Sequence, residues 1–103
     1  MSTAVIHAGV CGFTTTVQAH SEEDMVKLTI TSDCEAMRKL AAHLTEVNPF
    51  KEISFRRATP QVYQEAMKYC THAACPVPSG IIKAVEVEAG LALPADVSMH
   101  ISK

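Results

Sequence analysis

Phe13-Thr14-Thr15-Thr16-Val17-Gln18-Ala19-His20, then Ser21-Glu22-Glu23-Asp24, then Met25-Val26-Lys27-Leu28-Thr29-Ile30-Thr31 is the stretch on which the fold turns. Phe13, Thr15, Val17 and Ala19 alternate with Thr14, Thr16, Gln18 and His20, the period of a half-buried strand. Val26, Leu28 and Ile30 alternate in the same way with Lys27, Thr29 and Thr31. The four polar residues between the runs make a turn. Upstream, residues 3–8 are short and β-prone, and Gly9-Val10-Cys11-Gly12 has the glycines of a tight turn. The chain is therefore expected to open with a three-stranded antiparallel meander.

Helices are expected next. Ser32-Asp33-Cys34-Glu35 fits a capping box, with the Ser hydroxyl accepting from the Glu35 N–H and Glu35 reaching back. Cys34, Met37, Leu40, Ala41, Leu44 and Val47 then share one helical face, up to a stop at Asn48-Pro49. Residues 50–57 read as irregular or as a short strand. Thr59-Pro60 predicts a second helix with Thr as N-cap, and Val62, Tyr63, Ala66, Met67, Tyr69 and Cys70 form its apolar side. Pro76 and Pro78 end it. Residues 79–89 predict a third helix, capped by Ser79 and closed by Gly90. After Pro94, Val97, Met99 and Ile101 alternate as a last strand facing inward. The expected fold is α+β, one domain over residues 1–103: a meander, about three helices on one face of the sheet, and a C-terminal strand.

Composition narrows the function classes. The 103 residues are 48% hydrophobic and 19% charged, with a net charge of −2. That balance suits a folded globule and lacks the basic surface of a nucleic-acid binder. Arg56-Arg57 with Lys51 reads as solvated surface. No apolar run approaches a membrane span of roughly 18 residues, and no secretory leader is visible at the N-terminus, so the expected location is cytoplasmic. No nucleophile elbow, phosphate loop or paired-carboxylate signature is present.

Four cysteines are the unusual feature, spaced Cys-x22-Cys-x35-Cys-x4-Cys at Cys11, Cys34, Cys70 and Cys75. In a reducing compartment such a set points to metal binding or thiol chemistry rather than disulfides. Take the first strand as running up. Cys11 then lies in the turn at the top, and the third strand ends at the top with Cys34 opening the first helix. Cys70 and Cys75 reach the same end if residues 50–57 cross the bottom, and separate from it if those residues form a full strand. A helix start stabilises thiolate at Cys34, and the prolines beside Cys75 make a rigid ligand position. The expected site binds an iron–sulfur cluster or zinc through Cys11, Cys34, Cys70 and Cys75, with His72 the first substitute ligand and His7 another. Two alternatives stay open. One is a thiol redox or sulfur-transfer protein, with Cys75 or Cys34 as nucleophile, His72 as base and a protein partner. The other is a structural homodimeric domain whose cysteines are buried core residues.

Gly9-Val10-Cys11-Gly12-Phe13, Ser32-Asp33-Cys34, His72-Ala73-Ala74-Cys75-Pro76-Val77-Pro78 and Lys83-Ala84-Val85-Glu86-Val87-Glu88-Ala89-Gly90-Leu91-Ala92-Leu93-Pro94 together resemble an uncharacterised family of small cysteine-containing proteins. The resemblance covers nearly the whole chain. It implies no established activity, and it implies a source among anaerobic bacteria and archaea, a setting that suits an oxygen-sensitive cluster.

Overall fold

The computed structural model describes residues 1–103. The meander forms as β1 (Ser2–His7), β2 (Thr14–Glu22) and β3 (Met25–Ser32). Its register pairs Ala4 with Val17 and Val17 with Ile30, so Ala4, Ile6, Thr15, Val17, Ala19, Leu28 and Ile30 share one face. The opposite face carries Thr3, Thr14, Thr16, Gln18, Thr29 and Thr31, which water can satisfy.

The next segments are α1 (Glu35–His43), a two-residue strand β4 (Glu46–Val47) and a single helical turn α2 (Pro49–Glu52). They are followed by α3 (Gln61–Tyr69) and α4 (Val77–Glu88). The sheet order is β1-β2-β3-β4, antiparallel throughout. α1 packs on β3 and α4 on β1 and β2, all on the apolar face. Met37, Leu40, Leu44, Val62, Val77, Ile81 and Val85 meet Val17, Ala19, Val26 and Leu28 in one core cluster. No helix is long and apolar enough to cross a membrane.

Several local expectations are corrected. The first helix stops at His43 instead of running to Val47. Leu44 is buried at its end, and Val47 pairs with Val26 across the bottom of the sheet, where a β-branched side chain packs well. The capping box does not form. Ser32 still belongs to β3, its hydroxyl bonds Thr15 Oγ1 at 2.7 Å, and it accepts from the Cys34 N–H at 3.0 Å. Cys34 is the N-cap residue, one position outside the helix. At α3, Pro60 rather than Thr59 holds the cap position and offers no side-chain acceptor. The buried carboxylate of Glu52 takes that role, accepting from Gln61 N–H at 3.0 Å and Val62 N–H at 2.9 Å.

α4 begins at Val77, before Ser79, because Pro78 is tolerated in a first turn whose N–H groups have no helical partner. It closes as expected at Gly90, with φ +74°, the Leu91 N–H on Glu86 O at 2.8 Å and the Gly90 N–H on Val87 O at 3.1 Å. The C-terminal strand is absent. Residues 93–103 carry no regular element, and Val97, Met99 and Ile101 are 60%, 71% and 87% exposed. Alternation favours a strand, but a strand also needs a neighbour to complete its ladder, and these residues have none.

At the bottom of the fold, Glu88 ties α4 to the β2–β3 turn. Its Oε2 accepts from the Ser21 N–H at 2.8 Å, and Oε1 lies 3.4 Å from the N-terminal ammonium. The Ser21 N–H and that ammonium hold the Glu88 carboxyl below its ordinary value of 4.5, against an opposing desolvation. A depressed carboxylate stabilises the fold above its unfolded pKa and loses that contribution as pH falls through the folded one. Thermal unfolding of Glu88→Gln is therefore expected to show a shallower fall in midpoint below pH 4.5 than the parent. Parallel curves would show that the contact adds nothing.

Candidate thiol site

The position of each cysteine follows from the direction of its element. β3 runs up and delivers Cys34, whose extended backbone (φ −87°, ψ 124°) turns the chain into α1. α1 runs down, and β4 lies beside the start of β3. Residues 50–57 form the turn of α2 and a series of bends, with no strand. The chain therefore crosses the bottom, and α3 runs up to end at Tyr69 with Cys70 as its C-cap residue. A tight turn follows, closed by the Cys75 N–H on His72 O at 3.1 Å. Pro76 then starts α4 downward.

Cys34, Cys70 and Cys75 are each half-buried, and each packs against the core cluster. The Cys70 thiol donates to His72 O at 3.2 Å. Burial pushes the Cys75 thiol above its ordinary value of 9.0. The Val77 N–H at the start of α4 opposes that shift, and the Cys70 and Cys34 sulfurs reinforce it. Two neighbouring sulfurs thus act on the third. All four cysteines are free thiols.

Cys11 is placed differently. It sits exposed in the β1–β2 turn, where Gly9 and Gly12 take φ of +91° and +74° and the Gly12 N–H bonds Gly9 O at 2.9 Å. It is at the same end of the sheet but is not among the groups that act on Cys75. His72 is exposed, and it joins the cluster through its backbone carbonyl. His7 is turned to the outer face of the sheet, where Nδ1 lies 3.0 Å from Thr14 Oγ1.

Chemistry and geometry give different answers on a metal. Three or four cysteine sulfurs make a soft donor set suited to zinc or iron–sulfur clusters. Yet no three His, Cys, Asp or Glu side chains stand where a single ion could be held by all of them. Cys34, Cys70 and Cys75 are free thiols, and Cys75 feels the other two. The backbone groups that shape the site, Val77 N–H and His72 C=O, have no signature in sequence. Glu52, which anchors the start of the helix carrying Cys70, lies too far upstream to read as a cap.

A family model described as a family of unknown function (DUF6951) matches residues 2–101. No curated protein and no solved structure matches the chain.

Proposed function

The chain belongs to DUF6951, a family of unknown function, and on that premise we propose that it is a small module that takes up a soft metal, zinc or an iron–sulfur cluster, through Cys34, Cys70 and Cys75. The supporting observation is that three half-buried thiols come from two chain segments, Cys34 at the start of α1 and Cys70 and Cys75 in the α3–α4 connection, with Cys75 under the influence of both others. Crowded sulfurs resist ionisation one beside another. A soft cation removes that conflict, because each ligand gives up its proton and its charge is neutralised. The Val77 N–H favours negative sulfur at Cys75. Cys11, on the neighbouring turn where Gly9 and Gly12 take positive φ, is the candidate fourth ligand. His72 is the reserve ligand. Metal uptake draws the sulfurs together from their positions in the free chain. A reducing cytoplasm and the anaerobic source that the resemblance implies belong to this reading, since both keep the thiols available.

The test is metal analysis of anaerobically prepared protein before and after reconstitution with zinc or with iron and sulfide. Stoichiometric zinc, or a sulfur-to-iron charge-transfer band, is expected, with a higher unfolding temperature. Cys34→Ser, Cys70→Ser and Cys75→Ser should each lose most of the bound metal, and Cys11→Ser decides whether a fourth sulfur takes part. Colourless, metal-free protein with an unchanged unfolding temperature sinks the proposal.

A second reading rests on the direct influence of the Cys70 thiol on Cys75. In it the pair reduces a disulfide of a partner protein. Cys70 and Cys75 give up two protons and two electrons and join through an S–S bond, and the partner's disulfide accepts them and opens to two thiols. The raised pKa of Cys75 leaves little thiolate at neutral pH and places this reading second. Anaerobic treatment with oxidised glutathione distinguishes the two: a Cys70–Cys75 disulfide in the metal-free protein, together with failed metal uptake, would reverse their order.

A further inference from the structure

The sheet has one long open edge. The hydrogen bond from Ala8 N–H to Phe13 O, at 3.1 Å, fixes which β1–β2 pairs are bonded, because bonded and non-bonded pairs alternate along an antiparallel ladder. With Ile6 opposite Thr15, Ala4 opposite Val17 and Ser2 opposite Ala19, the even-numbered residues of β1 turn their backbone groups to β2. Thr3, Val5 and His7 therefore turn theirs outward. The other edge is unlike this one. β4 is two residues long and carries the Lys27–Glu46 ion pair, and above it the Ser32 carbonyl is occupied by Arg38 Nη1 at 3.1 Å.

The apolar face is also incomplete beside β1. Val17 and Ala19 on β2 are fully buried, whereas Ala4 and Ile6 on β1 are only half-buried. The inner layer ends one strand short.

The tail has the pattern of that missing strand. Leu91, Leu93, Val97, Met99 and Ile101 alternate with Ala92, Pro94, Asp96, Ser98 and His100, and all of residues 90–103 are exposed. The family match continues through this segment to residue 101, so it belongs to the shared domain. Residues 96–101 are as many as the six of β1. Pro94 lies outside that span, where its missing N–H interrupts nothing.

We propose that the tail of one chain adds to the open β1 edge of a second copy, and that the exchange is reciprocal across a two-fold axis. The direction of α4 selects the second copy over the tail's own β1. Glu88 at the end of α4 contacts Ser21 and the N-terminus, so the tail starts at the bottom of the sheet, beside the start of β1. Running up its own β1, it would be parallel. A two-fold axis perpendicular to the strands reverses it, and it meets the partner's edge antiparallel, the more stable pairing. The outward groups of Thr3, Val5 and His7 gain a ladder. Val97, Met99 and Ile101 continue the inner face over Ala4 and Ile6. A closed exchange of this kind consumes both edges and stops at the dimer.

The experiment is light scattering over a concentration series, with hydrogen exchange on the same full-length protein. The parent is expected at twice its 11.1 kDa mass, with slowed exchange at residues 97–101 and at Thr3 and Val5. Met99→Asp places a charge on the buried face and should raise the half-dissociation concentration at least about tenfold. Val5→Pro removes an N–H that faces away from β2, so the sheet keeps its own bonds while the added strand loses one, with the same effect. Both variants should keep the parent's circular dichroism. A parent monomeric at every concentration overturns the proposal, whether or not its tail is protected. A Met99→Asp protein that dimerises like the parent overturns it equally, and this variant stands even if Val5→Pro fails to fold.

Discussion

Glu52→Ala is expected to lower stability by about 3 kcal/mol, or roughly 12–24 °C in Tm for a domain of this size. Glu52 is 2% exposed, and its two oxygens accept from the first two N–H groups of α3 at 3.0 and 2.9 Å. Those groups have no partner inside the helix. Pro60 at the cap position has no side-chain acceptor to replace the carboxylate. Alanine leaves the buried Val62 N–H and the part-buried Gln61 N–H without their acceptor and removes a negative charge from the positive end of the helix dipole. Glu52→Gln separates these effects. The amide matches the shape but has one acceptor oxygen, and its NH₂ group opposes the other donor. It should lose about half as much as alanine. Urea unfolding of the three proteins provides the test, and an alanine variant within about 0.5 kcal/mol of the parent would mean that water caps the helix. The link to the site is direct. α3 carries Cys70 at its far end, so a frayed start reduces the order of one wall of the thiol cluster.

The same residues show what sequence reasoning reaches. Val17, Ala19, Val26 and Leu28 are legible because a period of two with one apolar face has a single structural solution, and the turn at Glu22–Asp24 sets the register. The helix over Met37 and Leu40 is legible for the corresponding reason. β4 is not, since two residues carry no period and Val47 continues the helical stripe as well as it fills a strand. Ser32 misleads because its hydroxyl has a competing partner, Thr15, seventeen positions away in sequence. Glu52 misleads in the other direction, as a carboxylate nine residues before the N–H it caps looks like surface charge.

At the cysteines, the meander alone places Cys11 and Cys34 at one end of the sheet. The arrival of Cys70 and Cys75 depends on residues 50–57 crossing without a strand, which the structure answers through the turn of α2. Convergence then favours Cys34 over Cys11 as the neighbour of that pair, a choice made by packing against the core and invisible in spacing. The tail is the reverse case. Its pattern is plain in the sequence, but the neighbour it asks for is not supplied by its own chain.

Gly80→Val is expected to cost about 2–3 kcal/mol and to make Cys75 react faster with alkylating reagents. Gly80 lies in the first half of α4 where the helix crosses β1, and a Cβ there would stand 2.4 Å from Ile6 Cδ1 and 2.8 Å from Ile6 Cγ1. Alanine gains about 1 kcal/mol of helix propensity over glycine. The alanine Cβ already meets both Ile6 atoms, so the half-buried Ile6 side chain has to shift, and Gly80→Ala is expected to cost about 1 kcal/mol after the propensity gain. Valine keeps those Cβ contacts, adds two methyl groups to them and loses rotamer freedom in the helix. The relief available is for α4 to lift from β1 at its upper end. That end holds Val77, whose N–H faces the Cys75 sulfur, and the bend that keeps Cys75 half-buried. Burial is the largest cause of the raised Cys75 pKa, so lifting the helix hydrates the sulfur, lowers its pKa and increases the thiolate present at neutral pH. Unfolding curves and the alkylation rate of Cys75 are independent readouts of that one displacement. A valine variant with parental stability and parental alkylation would mean that the chain absorbs the extra volume at Ile6 alone, and that the packing of α4 on β1 does not govern the thiol site.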